Sequence, residues 1–284
     1  MLDKDIHIGI LGGGQLGAML IRHAVDYGLY MHVLDVTTDS NAARFTNNFV
    51  VGDPLNYDDV LAFGKGMDIM TIEKEAVNVD ALEELAKQGV QVHPSPQVIR
   101  IVQDKYSQKT FLQKHNIPVA DGILIKDKKE LKDHKDRLPA CLKLCRDGYD
   151  GKGVMMLRTE ADFENAFDAP CVLEELVEIR KELAVIVSRN EHGEIRCYDP
   201  VEMVVNKKLN LLDYQLAPAE ITERNAAQAK DLAVRTAEAL QLVGIVAVEM
   251  FLTIDDKVIV NELAPRPHNS GHHTLEACVT SQYE

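Results

Sequence analysis

Nowhere in the 284 residues does an apolar run approach the ~20 residues that a membrane-spanning helix needs. The opening MLDKD lacks the charged-then-apolar pattern of a secretory signal, so a cytoplasmic protein without membrane attachment is expected. Cysteine is sparse. Cys141, Cys145, Cys171, Cys197 and Cys278 make an odd number with no C-x-x-C pair, which argues against a zinc or redox site of that kind and for small, reduced core residues. Positive charge is also short, with 31 Lys and Arg against 45 Asp and Glu and a net charge of -14. A partner held by neutralising nucleic-acid phosphates is therefore not expected, and an anionic small substrate would need a local cationic site or a metal. There is no internal repeat and no low-complexity linker. What the chain does have is 46% hydrophobic residues and enough length for two or three domains with real cores.

Up to about Gln103, short apolar runs (IHIGIL, MHVLDV, NFVV, DIMTIE, VQVHP) alternate with helical segments, the rhythm of a parallel sheet covered by helices. Ser95 to His115 reads as one long helix or a helix pair, ended by NIPVADG. The rhythm then changes. ILI, the charged helical stretch KDKKELKDHKDR, the strand ACLKLC, the loop RDGYDGKG, the strand VMML, the helix TEADFENAF and the strand CVLEELV make a small α+β unit. From Glu178 follow the strands ELAVIVS and EIRCYDPVEMVV, the helix ERNAAQAKDLAVRTAEALQL and the apolar pair GIVAVEMFLTI and KVIVNELA. The expected boundaries are 1–103 for an α/β unit, 104–177 for a linking helix plus small domain, and 178–284 for a second α+β unit.

Gly12, Gly14 and Gly17 have the G-x-G-x-x-G spacing of dinucleotide binding, between a strand and a helix, and Asp35 stands roughly 20 residues on, where a ribose-binding acid would sit. That supports an NAD-dependent oxidoreductase but explains nothing after residue 104. Glu249 and Glu262 each interrupt an apolar run, where an ionised carboxylate is costly unless paired or metal-bound. A two-residue turn at Asp255 and Asp256 places them directly opposite each other, so a divalent cation between them and a ligand is expected, with Asn261 as a further oxygen donor. The alternatives are a shifted register that turns one to solvent, or an arginine partner for each.

Lys143 shares strand parity with Cys141 and Cys145 on what reads as a buried face, a placement that suits a phosphate. In GYDGKG, Gly148, Gly151 and Gly153 permit close backbone approach and Lys152 stands at the tip of a phosphate-covering loop; an ordinary Asp150-Gly151 hairpin turn is the alternative. In LEELVEIRKE, Glu174 is a candidate acceptor for an adenine amino group and Glu182 for ribose hydroxyls, against a merely solvated charged face. APRPHNSGHH gathers Arg266, His268, Asn269, Ser270, His272 and His273 just after the metal-binding strand, without zinc spacing. It reads as a polar substrate loop or as a surface turn.

Taken in order, GGGQLG, Asp104-Lys105, the lysine strand, GYDGKG, LEELV, VEMF and NELAPRPHNSGH resemble the ATP-grasp enzymes over the whole chain, and among them the N5-carboxyaminoimidazole ribonucleotide synthetases of purine biosynthesis. The resemblance implies a Rossmann-like first domain followed by ATP-grasp middle (lid) and C-terminal domains. Its substrates would be ATP, bicarbonate and 5-aminoimidazole ribonucleotide, with carboxyphosphate as intermediate, Mg²⁺ (or Mn²⁺) as metal and a homodimer as the assembly. By motif match, Lys105 and Lys143 would meet ATP phosphates under the loop of Gly148, Gly151, Lys152 and Gly153. Glu174 and the backbone near Glu175, Leu176 and Val177 would take the adenine, Glu182 the ribose, and Glu249, Glu262 and Asn261 the metal. Tyr149, Asp150, Gln15 and Glu73 or Glu75 would approach the ribonucleotide, and Arg266, His268, Asn269 and His272 the reacting groups. Two departures stand out: TIEKEAV lacks the aromatic residue of the T-x-E-F-E form, and the chain stops at SQYE, so the C-terminal domain is expected to be incomplete. The alternatives are another ATP-grasp ligase, such as a formate-dependent glycinamide ribonucleotide transformylase or a biotin carboxylase, and a nucleotide-binding regulatory fragment.

Overall fold

The structure, a computed structural model, describes residues 6–146, 148, 153–206 and 211–284. Its first part is a five-stranded parallel sheet built from β1 (His7–Leu11), β2 (Tyr30–Asp35), β3 (Phe49–Val51), β4 (Ile69–Ile72) and β5 (Gln91–Val92), in the order β3-β2-β1-β4-β5. Helices α1 (Gln15–Asp26), α2 (Tyr57–Gly64) and α3 (Val79–Lys87) fill the crossovers. The two faces have separate cores, Ile10, Ile21 and Val33 on one and Leu11, Met70, Leu82 and Leu85 on the other, so β1 is apolar on both sides, as a doubly covered parallel strand must be. Asn56 and Asn78 cap α2 and α3 through their side chains, which sets where these helices begin.

A helix pair, α4 (Pro96–Val102) and α5 (Lys105–Lys114), leads out of this sheet. Ser95 and Pro96 start α4, and the Asp104 side chain accepts from Ser107 N at 2.8 Å to start α5. The four-stranded antiparallel sheet that follows, β6 (Gly122–Ile125), β7 (Ala140–Leu144), β8 (Val154–Leu157) and β9 (Cys171–Glu175), runs in the order β6-β9-β7-β8. Its expected helices are both 3₁₀ segments, Lys128–Arg137 and Glu160–Asn165, the first broken at His134. Too few apolar residues punctuate KDKKELKDHKDR to hold a longer helix against the sheet, and only Leu131 is buried there.

The last sheet is antiparallel: β10 (Ile179–Arg189), β11 (Ile195–Cys197), β12 (Val201–Asn206), β13 (Leu211–Leu216), β14 (Gly244–Thr253) and β15 (Val258–Ala264), in the order β13-β12-β10-β14-β15 with β11 also on β10. The run expected as one strand, EIRCYDPVEMVV, divides at Asp199-Pro200, because proline cannot donate to a ladder. Helix α6 (Glu223–Ala239), capped by Thr222, packs Ala229, Leu232, Ala233 and Ala237 with Leu183, Val185, Val246, Val248 and Leu263, and α4 and α5 add Val98, Val102 and Leu112 to the same core. One face of this sheet is thus filled with apolar side chains, and the other is turned toward the small sheet and the first domain. A 3₁₀ turn (Asn269–Gly271) and α7 (Thr274–Ala277) end the chain. All five cysteines are free, and no helix among the described residues is long and apolar enough to cross a membrane.

Candidate active site

The carboxylate strands reach the expected pairing by a different path. The β14–β15 connection is a three-residue loop, not a two-residue turn: Thr253 N donates to Lys257 O at 2.9 Å and Asp256 takes a left-handed φ of 61°, which Asp tolerates. Leu252 then faces Val258 and Met250 faces Val260, a register that by itself would set Glu249 against Asn261. A bulge between Val260 and Glu262 absorbs one residue and puts Glu249 opposite Glu262. Asn261 is the extra residue, and its side chain turns to the same side as the two carboxylates. Met250, Val260 and Leu263 stay in the core.

Lysines from two other elements meet these oxygens. Lys105, the first residue of α5, pairs through Nζ with Glu262 Oε1. Lys143 on β7 donates to Asn261 Oδ1 at 2.8 Å and lies 2.7 Å from Glu174 Oε2 on β9. Lys143 lies on the same face of β7 as Cys141 and is buried, as strand parity predicts, but that face is not the one that fills the small sheet's own core. The core of the small sheet takes Ala140 and Leu142, while Lys143 points to the opposite face, covered by α5 and β15. Burial opposes the charge on Lys143, but Glu174 outweighs it and raises the pKa. At Glu174 burial likewise works upward, and Lys143 and Lys109 hold its carboxyl below the usual range. Glu249 lies 3.1 Å from His268 Nε2; burial opposes its ionisation, and His268, Lys105 and Arg266 reverse the balance. Glu182 shares this face of the sheet, since it faces Phe251 on β14 and Ala184 faces Glu249. Burial and the negative charge of Glu249 raise its pKa.

The loop after β15 is held from both ends. The Gln282 amide accepts from His268 N and donates to His268 O, each at 2.9 Å. Gly271 lies so close to Gln282 that a Cβ would overlap its side chain. His268 Nδ1 meets Ser270 Oγ at 2.8 Å, which leaves Nε2 for Glu249. Burial, then the charge of His268, lowers the pKa of His272. Arg266 Nε lies 2.9 Å from Glu75 Oε1, joining this loop to the first domain, and Asn269 is exposed.

At the opening glycines, Gly13 N donates to Asp35 Oδ2 at 2.7 Å and Val36 N to Oδ1 at 2.8 Å, so the acid that a dehydrogenase would use for ribose is occupied by backbone. Glu73 fills the turn: a Cβ on Gly14 would come within 2.5 Å of its Oε1, and Gln15 stands exposed at the start of α1. Gly148 and Gly153 approach so closely that a Cβ on Gly153 would meet Gly148 Cα at 2.8 Å. Tyr149, Asp150, Gly151 and Lys152 lie outside the described residues. Past Glu174, the Glu175 side chain turns to the other face of β9 and accepts from Asp121 N at 3.0 Å, Leu176 is exposed and Val177 partly so.

Among the described residues no three His, Cys, Asp or Glu side chains gather as a metal cage. Two carboxylates and an amide oxygen are instead the donor set of a hard cation that keeps waters and phosphate oxygens as its other ligands, and the site fits Mg²⁺ in that sense. Sequence reasoning missed three buried polar residues: Lys109, Gln108 and Gln282. Gln108 Oε1 accepts from Leu263 N at 3.1 Å and fixes β15 next to Glu262. The missed signal was a stripe in which positions 105, 108, 109 and 112 of one helix share a face with a single apolar member.

The chain matches the ribonucleotide synthetase preATP-grasp domain over residues 6–103 and the ATP-grasp domain over residues 110–283. It is 39% identical to the N5-carboxyaminoimidazole ribonucleotide synthase of Bacillus subtilis over 98% of its own length and 74% of that protein. The crystal structure of the Thermotoga maritima synthetase of the same name superposes with a TM-score of 0.89 at 43% identity, covering 98% of this chain and 73% of that one. An Aspergillus clavatus synthase in complex with ADP and 5-aminoimidazole ribonucleotide superposes with a TM-score of 0.90 at 33% identity, covering 99% and 75%.

Proposed function

The chain belongs to the ATP-grasp family, in its N5-carboxyaminoimidazole ribonucleotide synthase branch, and from that premise we propose that it uses ATP and bicarbonate to carboxylate the amine of 5-aminoimidazole ribonucleotide, a step of purine biosynthesis. The observation that carries the reading is the meeting of Glu249, Glu262 and Asn261 with Lys105 and Lys143, oxygen donors for a cation beside ammonium donors for phosphate. Lys105 and Lys143 take the phosphates of ATP, Glu174 and the backbone from Glu175 through Leu176 to Val177 the adenine, and Glu182 the ribose. Glu249 and Glu262, with Asn261 beside them, would hold Mg²⁺ (Mn²⁺ as the alternative), which when bound neutralises charge on phosphate oxygens.

A bicarbonate oxygen attacks the γ-phosphorus of ATP, ADP leaves, and carboxyphosphate forms; the protein contributes position and electrostatics rather than covalent chemistry. Arg266, oriented by Glu75, and Lys105 face the developing negative charge. Carboxyphosphate then yields CO₂ and phosphate beside the substrate amine. The amine nitrogen attacks CO₂ to form the N–C bond, and the proton it loses goes, in this reading, to His272, whose burial favours its neutral form, with His268 held by Ser270 and Glu249 and with Asn269 nearby in the chain. Gly148, Gly151, Lys152 and Gly153 take ATP phosphates in the same reading, and exclusion of water from the site protects the intermediate. Tyr149, Asp150, Gln15 and Glu73 approach the ribonucleotide. A homodimer and a cytoplasmic setting belong to the same proposal.

The test is phosphate release by this chain with ATP, Mg²⁺ and bicarbonate, measured with and without 5-aminoimidazole ribonucleotide. Release that rises with the ribonucleotide is expected; release indifferent to it overturns the reading, and tight NAD binding would restore the oxidoreductase.

A further inference from the structure

On the nucleotide-binding reading above, we propose that Lys109 is a positioning residue: its ammonium is the fixed partner of Glu174, which leaves Lys143 free to exchange that carboxylate for a phosphate. Lys109 is 7% exposed, and a lysine so buried needs its charge met. Two groups meet it: Glu174 Oε1 at 2.9 Å and the main-chain carbonyl of Ala120 at 2.7 Å. The other carboxylate oxygen, Oε2, faces Lys143 at 2.7 Å. One carboxylate therefore serves two ammonium groups that are not equivalent. Lys109 is tied to a backbone carbonyl, whereas the second contact of Lys143 is the Asn261 side chain, beside Glu262.

Gly122 on β6 supports the pairing from a third element. It stands opposite Glu174 in the ladder, and a Cβ there would come within 3.2 Å of both Lys109 Cε and Glu174 Cγ. A glycine inside a strand marks such a close approach. The charged and titratable groups facing Glu174 are Lys109 from α5 and Lys143 and Cys141 from β7; β6 presents only Gly122, and Glu262 of β15 acts on Lys143. When Lys143 turns to an anion, Lys109 alone keeps Glu174 paired. Without Lys109, Glu174 would have to take up a proton at that moment or stay buried and unpaired.

Calorimetric titration with Mg²⁺-ADP tests this in the wild type, Lys109→Met, Lys109→Arg, Glu174→Gln and the Lys109→Met/Glu174→Gln double variant, each checked for a cooperative thermal transition. Lys109→Met is expected to weaken binding on the order of tenfold and to couple it to proton uptake, read as a heat that depends on the ionisation enthalpy of the buffer. The double variant should bind more tightly than Lys109→Met and without proton uptake, and Lys109→Arg should bind as the wild type does. A loss of packing alone would leave the double variant no better than the single one. Unchanged affinity in Lys109→Met, or a double variant that binds no better, overturns the proposal. If Lys109→Met does not fold, weakened binding or proton uptake in Lys109→Arg overturns it, while wild-type behaviour there supports it. No binding by the wild type overturns the nucleotide reading itself, and this proposal with it.

Discussion

Glu73, beside the glycine turn of the parallel sheet, and Glu174, on β9 of the small antiparallel sheet, are both withdrawn from water, and burial pushes the pKa of each upward. At Glu73 burial prevails over Arg266, the Gly14 N–H and Lys74, and the value ends above the usual carboxylate range. At Glu174 the same upward push is overcome by two lysines in direct contact, and the value ends below it. The first region meets charge with a turn of backbone; the second meets it with ammonium groups, and Lys105 with Glu262 repeats that pattern. Lys105 reaches from α5 to Glu262 on the large antiparallel sheet, and charges paired in this way are suited to exchanging partners with a polyanion and its cation. The glycine turn is suited to holding one carboxylate still.

The widest break between the two regions is expected from Glu262→Gln, which keeps the shape of the strand and removes a cation-holding charge. Turnover measured by ribonucleotide-stimulated phosphate release should fall by about 10²–10³-fold. The midpoint of thermal unfolding should move by only a few degrees, about 1 kcal/mol or less, because the Glu262 side chain is itself 44% exposed and its pairing with Lys105 is partly screened by water. A fall of less than tenfold would take the carboxylate out of the chemistry. A smaller effect, confined to the other region, is expected from Gly14→Ala. Its Cβ would come within 2.5 Å of Glu73 Oε1, so the carboxylate must shift. Stimulation by the ribonucleotide should drop by roughly tenfold through misplacement, with ADP affinity unchanged in calorimetry. A weakened ADP affinity would show that the turn serves the nucleotide after all.

How legible each region was follows from the same contrast. Strand, glycine turn and helix were readable at ILGGGQLG because backbone geometry is written in glycine spacing, but the cofactor was not, since Asp35 is engaged by Gly13 and Val36 rather than presented to a ribose. The opposition of Glu249 and Glu262 was readable for a partly wrong reason: a longer turn and a bulge offset each other, and neither leaves a periodicity signal. Strand β13 escaped altogether although Leu212, Tyr214 and Leu216 alternate with Asp213 and Gln215: the run is short, and at the sheet edge its apolar set, Leu212 and Tyr214, is exposed rather than turned into a core. The roles of Lys109 and Gln282 depend on contacts with Glu174, 65 residues on, and with His268, 14 residues back, and pairing at such separations is invisible to local pattern.

The smallest and most discriminating effect is the pH dependence of stability, where the two carboxylates act with opposite sign. The folded pKa of Glu174 lies below its ordinary value of 4.5, so its contribution is fully present above that value and is lost as pH falls through the lower folded one. Glu174→Gln should therefore be less stable than the wild type at neutral pH, and the gap should close in acid. Glu73 has a folded pKa above 4.5, so its ionised form destabilises the fold above that raised value, and the penalty disappears as pH falls through it toward 4.5. Glu73→Gln should be more stable than the wild type at neutral pH, and this gap too should close in acid. Urea unfolding at a series of pH values from neutral to below 4.5 would separate the two curves. If both variants lose stability at neutral pH, Glu73 is held by partners as Glu174 is, and the distinction between a backbone-framed carboxylate and a lysine-matched one fails.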